Sequence, residues 1–139
     1  MEITANALQT VETNQNVLST ETPIGGNNSI IHREGSGLVT LRGITQQCRA
    51  LFRITFSGNI AIPTGGTVGP ISLAIALDGE AVASSTMIST PAAVEQFNNV
   101  SSSIFICVPS SCWMTASVRN ISTQAIEVQN ANLIIERVA

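Results

Sequence analysis

Between Arg49 and Ser57 the side chains alternate without a break. Ala50, Phe52, Ile54 and Phe56 fall on one parity; Leu51, Arg53, Thr55 and Ser57 fall on the other. In an extended chain successive side chains point to opposite faces, so this stretch describes a strand with one apolar face and one mostly polar face. A helix would scatter both sets around its circumference. No stretch of the length a helix needs, about ten residues, keeps a helical period anywhere in the chain. The fold class that follows is all-β.

The remaining segments repeat the theme in shorter form. Val, Ile, Thr and Phe fill short runs between clusters of Gly, Pro, Asn and Ser, which is strand and turn chemistry. Residues 8–18 read as an edge strand or strap, broken near Asn14, Gln15 and Asn16. Residues 23–28 read as a turn, 29–33 as a short strand, 34–37 as a second turn and 38–44 as a strand with Val39 and Leu41 on one face. Pro63-Thr-Gly-Gly-Thr67 is a loop. Ile71–Leu77 is apolar enough for a central strand. Asp78-Gly79 is a hairpin signal because both turn positions tolerate positive φ, and Glu80–Ser89 is expected to pair back across it. Strands are expected over 97–108, 112–119 and 125–138. In the last, Ile126, Val128, Asn130, Asn132, Ile134 and Glu136 are assigned to one face and Gln129, Ala131, Leu133 and Ile135 to the other. Residues 1–7 are assigned to a flexible N-terminal segment. About eight to ten short strands at this spacing indicate a sandwich or barrel, and a jelly-roll β-sandwich fits the count and the length. A mass of 14.6 kDa predicts a single domain exposing about 6,900 Å² when folded, roughly a third of what its unfolded chain exposes.

Charge is scarce: 11% of the residues are charged, against about 25% in ordinary domains. All six basic residues are Arg and there is no Lys. Lys favours freely solvated surface, whereas interfaces are enriched in Arg and depleted in Lys and Glu. The composition therefore points to a protomer covered in part by copies of itself, the competing explanation being the habit of the source organism. A net charge of −3 with dispersed Arg residues excludes a nucleic-acid partner, which needs a clustered basic face. No run of about 18 apolar residues supplies a transmembrane span. The N-terminus lacks the basic start and apolar stretch of a signal peptide, so synthesis in the cytoplasm is expected.

The chemistry-bearing residues do not assemble into a catalytic pattern. The lone His32 has no Gly-x-Ser-x-Gly elbow to serve in a triad, and a solvent-facing or interface role is the simpler expectation. Asp78 and Glu80 flank the hairpin, where acids are common for solvation, and the remaining acids are spread out. The glycine-rich stretches have no Gly-Lys-Ser/Thr and no following helix, so they are turns and not phosphate loops. No ligand-dense loop offers calcium or zinc a site. No cofactor and no enzymatic activity are expected. Three cysteines, an odd count, are not a secreted disulfide framework. A turn at Pro109-Ser110 would bring Cys107 opposite Cys112; two reduced, half-buried thiols are the favoured reading. Trp113 is assigned to the core or an interface in preference to a ligand platform.

Three C-terminal segments carry a resemblance. Phe105-Ile-Cys-Val-Pro109, Trp113-Met-Thr-Ala-Ser-Val-Arg-Asn120 and Ile126-Glu-Val-Gln-Asn-Ala-Asn-Leu-Ile-Ile-Glu-Arg137 resemble the closing strands of the tumour-necrosis-factor/C1q-like jelly rolls. That group has similar bacterial and phage members, among them spore-surface tip domains and phage fibre or capsid-decoration proteins. The Asn130–Arg137 ending is the closest part, and Gly37–Leu41 and the Asp78-Gly79 hairpin sit where the family has such elements. The chain differs in having no Tyr, one Trp and no collagen-like stem. The resemblance implies a homotrimer closed around an apolar axis, with a virion or a cell or spore surface as its setting and capsid, fibre or surface-layer proteins as partners. The axis residues it suggests are Phe52, Phe56, Phe97, Phe105 and Ile134, although the same residues suit the sandwich interior equally well. Arg53 and Arg119 are expected to pair with Glu127 or Glu136 across the interface. The competing role is recognition of a glycan or receptor through loops 58–70 and 85–98.

Overall fold

A computed structural model describes residues 1–139. It contains twelve strands and one 3-10 turn, Ala83–Ser85. The strands are β1 (Glu2–Ala5), β2 (Gln9–Val11), β3 (Glu21–Ile24), β4 (Ile30–His32), β5 (Val39–Arg42), β6 (Arg49–Ala61), β7 (Ile71–Leu77), β8 (Glu80–Ala81), β9 (Met87–Ser89), β10 (Asn98–Pro109), β11 (Trp113–Asn120) and β12 (Ile126–Arg137). The excess over the expected eight to ten comes from edge pieces of two to four residues. Two antiparallel six-stranded sheets face each other. The first runs β10-β6-β12-β1-β3 with β2 also on β12; the second runs β4-β5-β11-β7-β8 with β9 also on β7. From β5 to β7, and again from β9 to β12, the chain changes sheet at each step. This is the expected jelly-roll sandwich.

The alternation in β6 holds from Arg49 to Ile60, and Ala61 at its end is buried as well. Ala50, Phe52, Ile54, Phe56 and Ile60 are buried between the sheets, with Leu133 and Ile135 of β12 and Ile106 and Val108 of β10 beside them. Val39, Leu41, Leu73, Ile75, Ala116 and Val118 close the core from the second sheet. The accessible area is 6977 Å², close to the value expected of a compact monomer of this mass. One protomer therefore builds its core alone.

Four sequence expectations need correction. Glu2–Ala5 is no flexible leader: it is a strand between β12 and β3, with Ile3 and Ala5 in the core. Its two apolar residues are too few to announce a strand, and β12 supplies the pairing that makes one. Pro23 and Ile24 belong to β3 and not to a turn; β3 is the outermost strand of its sheet, where a missing N–H costs no ladder bond. Glu80–Ser89 does not pair continuously, because Ser85 bonds to both Ile75 N–H and Ile75 C=O and resets the path. Only β8 and β9 pair, at opposite ends of β7.

The fourth correction concerns β12. Between Gln129 and Asn132 the strand carries one residue more than β6 opposite, a β-bulge. Asn130 sits in it at φ 55°, the left-handed region that Asn tolerates better than other non-glycine residues. The extra residue reverses the phase. Ile126 and Val128 point inward along with Ala131, Leu133 and Ile135, while Gln129, Asn132, Ile134 and Glu136 point outward. Asn130→Val is expected to lose about 1–2 kcal/mol in chemical denaturation, and Asn130→Gly to stay near the wild type. Equal stability of the valine and glycine variants would refute the strained bulge.

Candidate functional site

The outward face of the first sheet is the largest regular surface of the molecule, and the β6 alternation defines it. Its rows follow from the register. Phe105, Arg53 and Glu136 stand side by side across β10, β6 and β12; Ser103, Thr55, Ile134, Glu2 and Ile24 form the next row; Asn99, Asn59 and Gln129 form a third. Phe105 is 62% exposed. Ile24 and Ile134 are exposed as well, and Leu51 is half-buried.

The polar groups on this face are largely satisfied by one another. Arg53 Nε and Nη2 donate to Glu136 Oε1 at 2.9 and 2.6 Å, the single salt bridge of the protein. Asn132 Nδ2 donates to Glu2 Oε2 at 2.8 Å. Thr55 and Ser103 share a hydroxyl–hydroxyl bond of 2.9 Å. Asn99 donates to Asn59, which in turn donates to Asn130, a three-strand amide ladder. A face on which Arg53 and Glu136 neutralise each other, the Glu2 carboxylate is hydrogen-bonded and the amides are paired leaves few polar groups without a partner when it is covered.

Not every residue assigned to the interface lies here. Phe105, Arg53 and Ile134 do. Phe52 and Phe56 are 0% and 1% exposed and belong to the sandwich interior: pairing with β10 and β12 turns their parity of β6 inward. Phe97, 36% exposed, lies in the loop before β10. Arg119 is on β11 in the second sheet, where its Nη1 donates to the Gly79 carbonyl. The pairing of Arg53 with Glu136 is made within one protomer and needs no partner copy. Leu51 was legible from the clean alternation. Ile24 was not, because it was read as part of a turn.

At the far end of the face the loops after β6 and before β10 fold over Glu127, which is 7% exposed. Glu95 N–H donates to Ile62 C=O at 2.8 Å, and Glu95 Oε1 accepts from Thr64 N–H at 3.0 Å and Thr64 Oγ1 at 2.9 Å. Burial raises the Glu127 carboxyl above its ordinary 4.5, and the bonded Glu95 carboxylate raises it further. Glu95 moves the other way, lowered by its bonds from Glu127 and Thr64. The folded state thus makes the proton harder to remove from Glu127 and easier to remove from Glu95. A raised folded-state pKa contributes stability at low pH that is lost as pH climbs through it. Glu127→Gln, which donates without ionising, is expected to raise the melting temperature at pH 7–8 by about 3 °C, with the gain fading toward pH ~4. A gain that grows on acidification would contradict the pairing.

Elsewhere the structure separates what the sequence left open. His32 Nε2 lies 3.1 Å from Ser36 C=O, and its buried Nδ1 has no partner. No three His, Cys, Asp or Glu side chains gather as a metal-ligand set. Cys107 and Cys112 are free and exposed, not half-buried. They do not face each other across a hairpin, because β10 and β11 belong to different sheets. An open groove of about 610 Å³ lies at the end of the second sheet, lined by residues 67–70, Ser72, Ile88 and residues 121–124. Its hydroxyls, amides and three apolar side chains include no charged group. No helix is long and apolar enough to cross a membrane.

No protein-family model and no curated protein sequence matches the chain. Solved structures do. The Eiger TNF from S. frugiperda superposes with a TM-score of 0.70 at 9% identity, over 100% of this chain and 92% of that one. The globular domain of zebrafish complement 1qA superposes with a TM-score of 0.63 at 9% identity, over 96% and 93%. A CBM35 from Cellvibrio japonicus Abf62 covers 100% of this chain and 98% of its own at 6% identity, but with a TM-score of 0.45, too loose a superposition to argue from. The chain therefore has the jelly-roll fold shared by the C1q and TNF globular domains.

Proposed function

We propose that this protein is a non-enzymatic, homotrimeric assembly module whose copies meet through the outward face of the first sheet. The observation that carries the reading is Phe105, 62% exposed, in a row whose only two charges, Arg53 and Glu136, neutralise each other. Three strands of 12 or 13 residues at about 3.3 Å per residue and ~4.8 Å apart, with β1 and β3 beside them, give a face of roughly 700 Å². A standard interface takes about 800 Å² from each partner, so the face is of the right size. Three copies is the number the family resemblance implies, and rotational closure leaves no open face for further growth. The setting that suits such a charge-poor, Lys-free module is a virion or a cell or spore surface, with capsid, fibre or surface-layer proteins as neighbours. Sedimentation equilibrium at micromolar concentration is expected to give three times the 14.6 kDa protomer mass. A persistent monomer sinks the proposal.

The groove at residues 67–70 and 121–124 favours a second reading, a module that recognises a neutral glycan or a receptor. Its uncharged hydroxyl and amide lining is the kind that sugar hydroxyls pair with. A glycan array read with wild type and with Ile88→Arg, an exposed lining position, separates the readings. Specific binding lost in the variant supports recognition, and an array without signal leaves assembly as the role.

A further inference from the structure

We propose that the end of the second sheet holding Trp113 and Arg42 is a binding site for a carboxylated pyranose. This goes beyond the assembly role and does not depend on it, because the site is on the other sheet. Trp113 is 70% exposed, more than any other large apolar side chain of the protein, where the sequence had suggested a core or interface residue. It opens β11 in direct register with Arg42, the last residue of β5. Leu41 is fully buried and Met114 packs on the core, so Trp113 and Arg42 share the outward face. Antiparallel partners of this kind hold their Cβ atoms about 5 Å apart.

A cavity of about 160 Å³ lies between them, completed by Gly43, Ile44, Ser111 and Cys112. Its frame is backbone. Gly43 N–H donates to Cys112 C=O at 2.8 Å and Ser111 N–H donates to Gly43 C=O at 3.0 Å. A Cβ on Gly43 would collide with the Pro109 carbonyl, so only glycine lets the turn approach so closely. The space is below the ~300–1,000 Å³ of a drug-sized pocket and suits one ring, with the rest of a ligand reaching into solvent.

Arg42 decides the ligand chemistry. Its guanidinium makes one long bond, 3.4 Å, to Asn28 C=O, and no carboxylate of the chain pairs with it. Asp78 accepts from Thr115 N–H and Oγ1, and Glu136 is held by Arg53. Most of the five guanidinium N–H donors are therefore free to take a carboxylate in the two-pronged manner Arg favours. The indole offers a flat apolar platform with a polar edge, which takes the C–H face of a sugar ring. The Ser111 hydroxyl and the wall carbonyls can bond its hydroxyls. One free guanidinium matches one carboxylate; a polyphosphate would call for a basic cluster.

Trp113 is the only Trp, and there is no Tyr, so tryptophan emission reports on this site alone. Titration with D-glucuronate is expected to change the emission saturably. Glucose at equal concentration should bind more weakly and acetate should leave the emission unchanged. Arg42→Gln should weaken the glucuronate response about tenfold, and Trp113→Leu, followed by calorimetry, should remove the heat of binding while circular dichroism keeps its strand signal. An absent glucuronate response, an equal response in Arg42→Gln, or an equal response to acetate overturns the proposal.

Discussion

Phe105→Asp is expected to release folded protomers of 14.6 kDa from the assembly. The side chain is 62% exposed in the single chain, so the substitution removes little intramolecular packing. It does place an extra carboxylate, one the Arg53–Glu136 pair leaves unbalanced, on the edge strand of the face that neighbouring copies would cover. A desolvated, unpaired charge at an interface costs several kcal/mol, and each 1.4 kcal/mol weakens association about tenfold. An assembly of micromolar affinity would then be monomeric at the same concentration. Sedimentation equilibrium and circular dichroism measured together check both halves of the claim. An unchanged trimer would show that copies meet elsewhere. Loss of strand signal would show that Phe105 supports the fold itself.

Phe52→Ala is expected to do the opposite, unfolding the protein without first dissociating it. Phe52 is fully buried between the sheets, paired with Ile106 on β10 and Arg137 on β12. Truncating a buried Phe removes its transfer free energy and leaves a cavity, together about 3–5 kcal/mol. Domains are stabilised by only about 5–15 kcal/mol, so the midpoint of urea denaturation should fall by about a fifth or more at unchanged slope. A loss below about 1 kcal/mol would mean that the sheets do not close over this residue as described. Phe52 and Phe105 thus form a matched pair: the same residue type on neighbouring strands, one expected to control folding and the other association.

How much of this was readable from the residues depended on how far apart the deciding partners lie. Residues 58–61 of β6, assigned from the sequence to a loop, continue the strand because β10 and β12 pair with them on either side. From Arg49 to Ser57 the strand was legible because its period-two pattern is a property of the strand alone. The Asp78-Gly79 hairpin was legible for the same reason; Leu77 pairs with Glu80 across it, and both turn residues have positive φ. The phase of β12 was not legible beyond Asn130. A bulge appears only against a partner strand, and nothing in Gln-Asn-Ala-Asn separates it from regular alternation. Glu2–Ala5 escaped because two apolar residues make no pattern until β12 and β3 flank them. Cys107 and Cys112 looked like a hairpin pair because neighbours in sequence usually pair in space, and here the chain changes sheet between them.

The same division applies to the candidate surfaces. Scarce charge, the absence of Lys and the lone Trp were already visible in the sequence and pointed to covered surface and to the lack of a catalytic cluster. Which Phe residues are available to a partner was not visible, since it depends on which parity of β6 turns toward the other sheet. The closeness of Trp113 to Arg42, and the freedom of that guanidinium, likewise required the β5–β11 register. By itself the sequence determined that this chain builds strands and pairs them around an apolar interior, because alternation and turn chemistry act over a few neighbouring residues. The tertiary structure alone decided which faces remain outside, because burial is settled between strands that are distant along the chain.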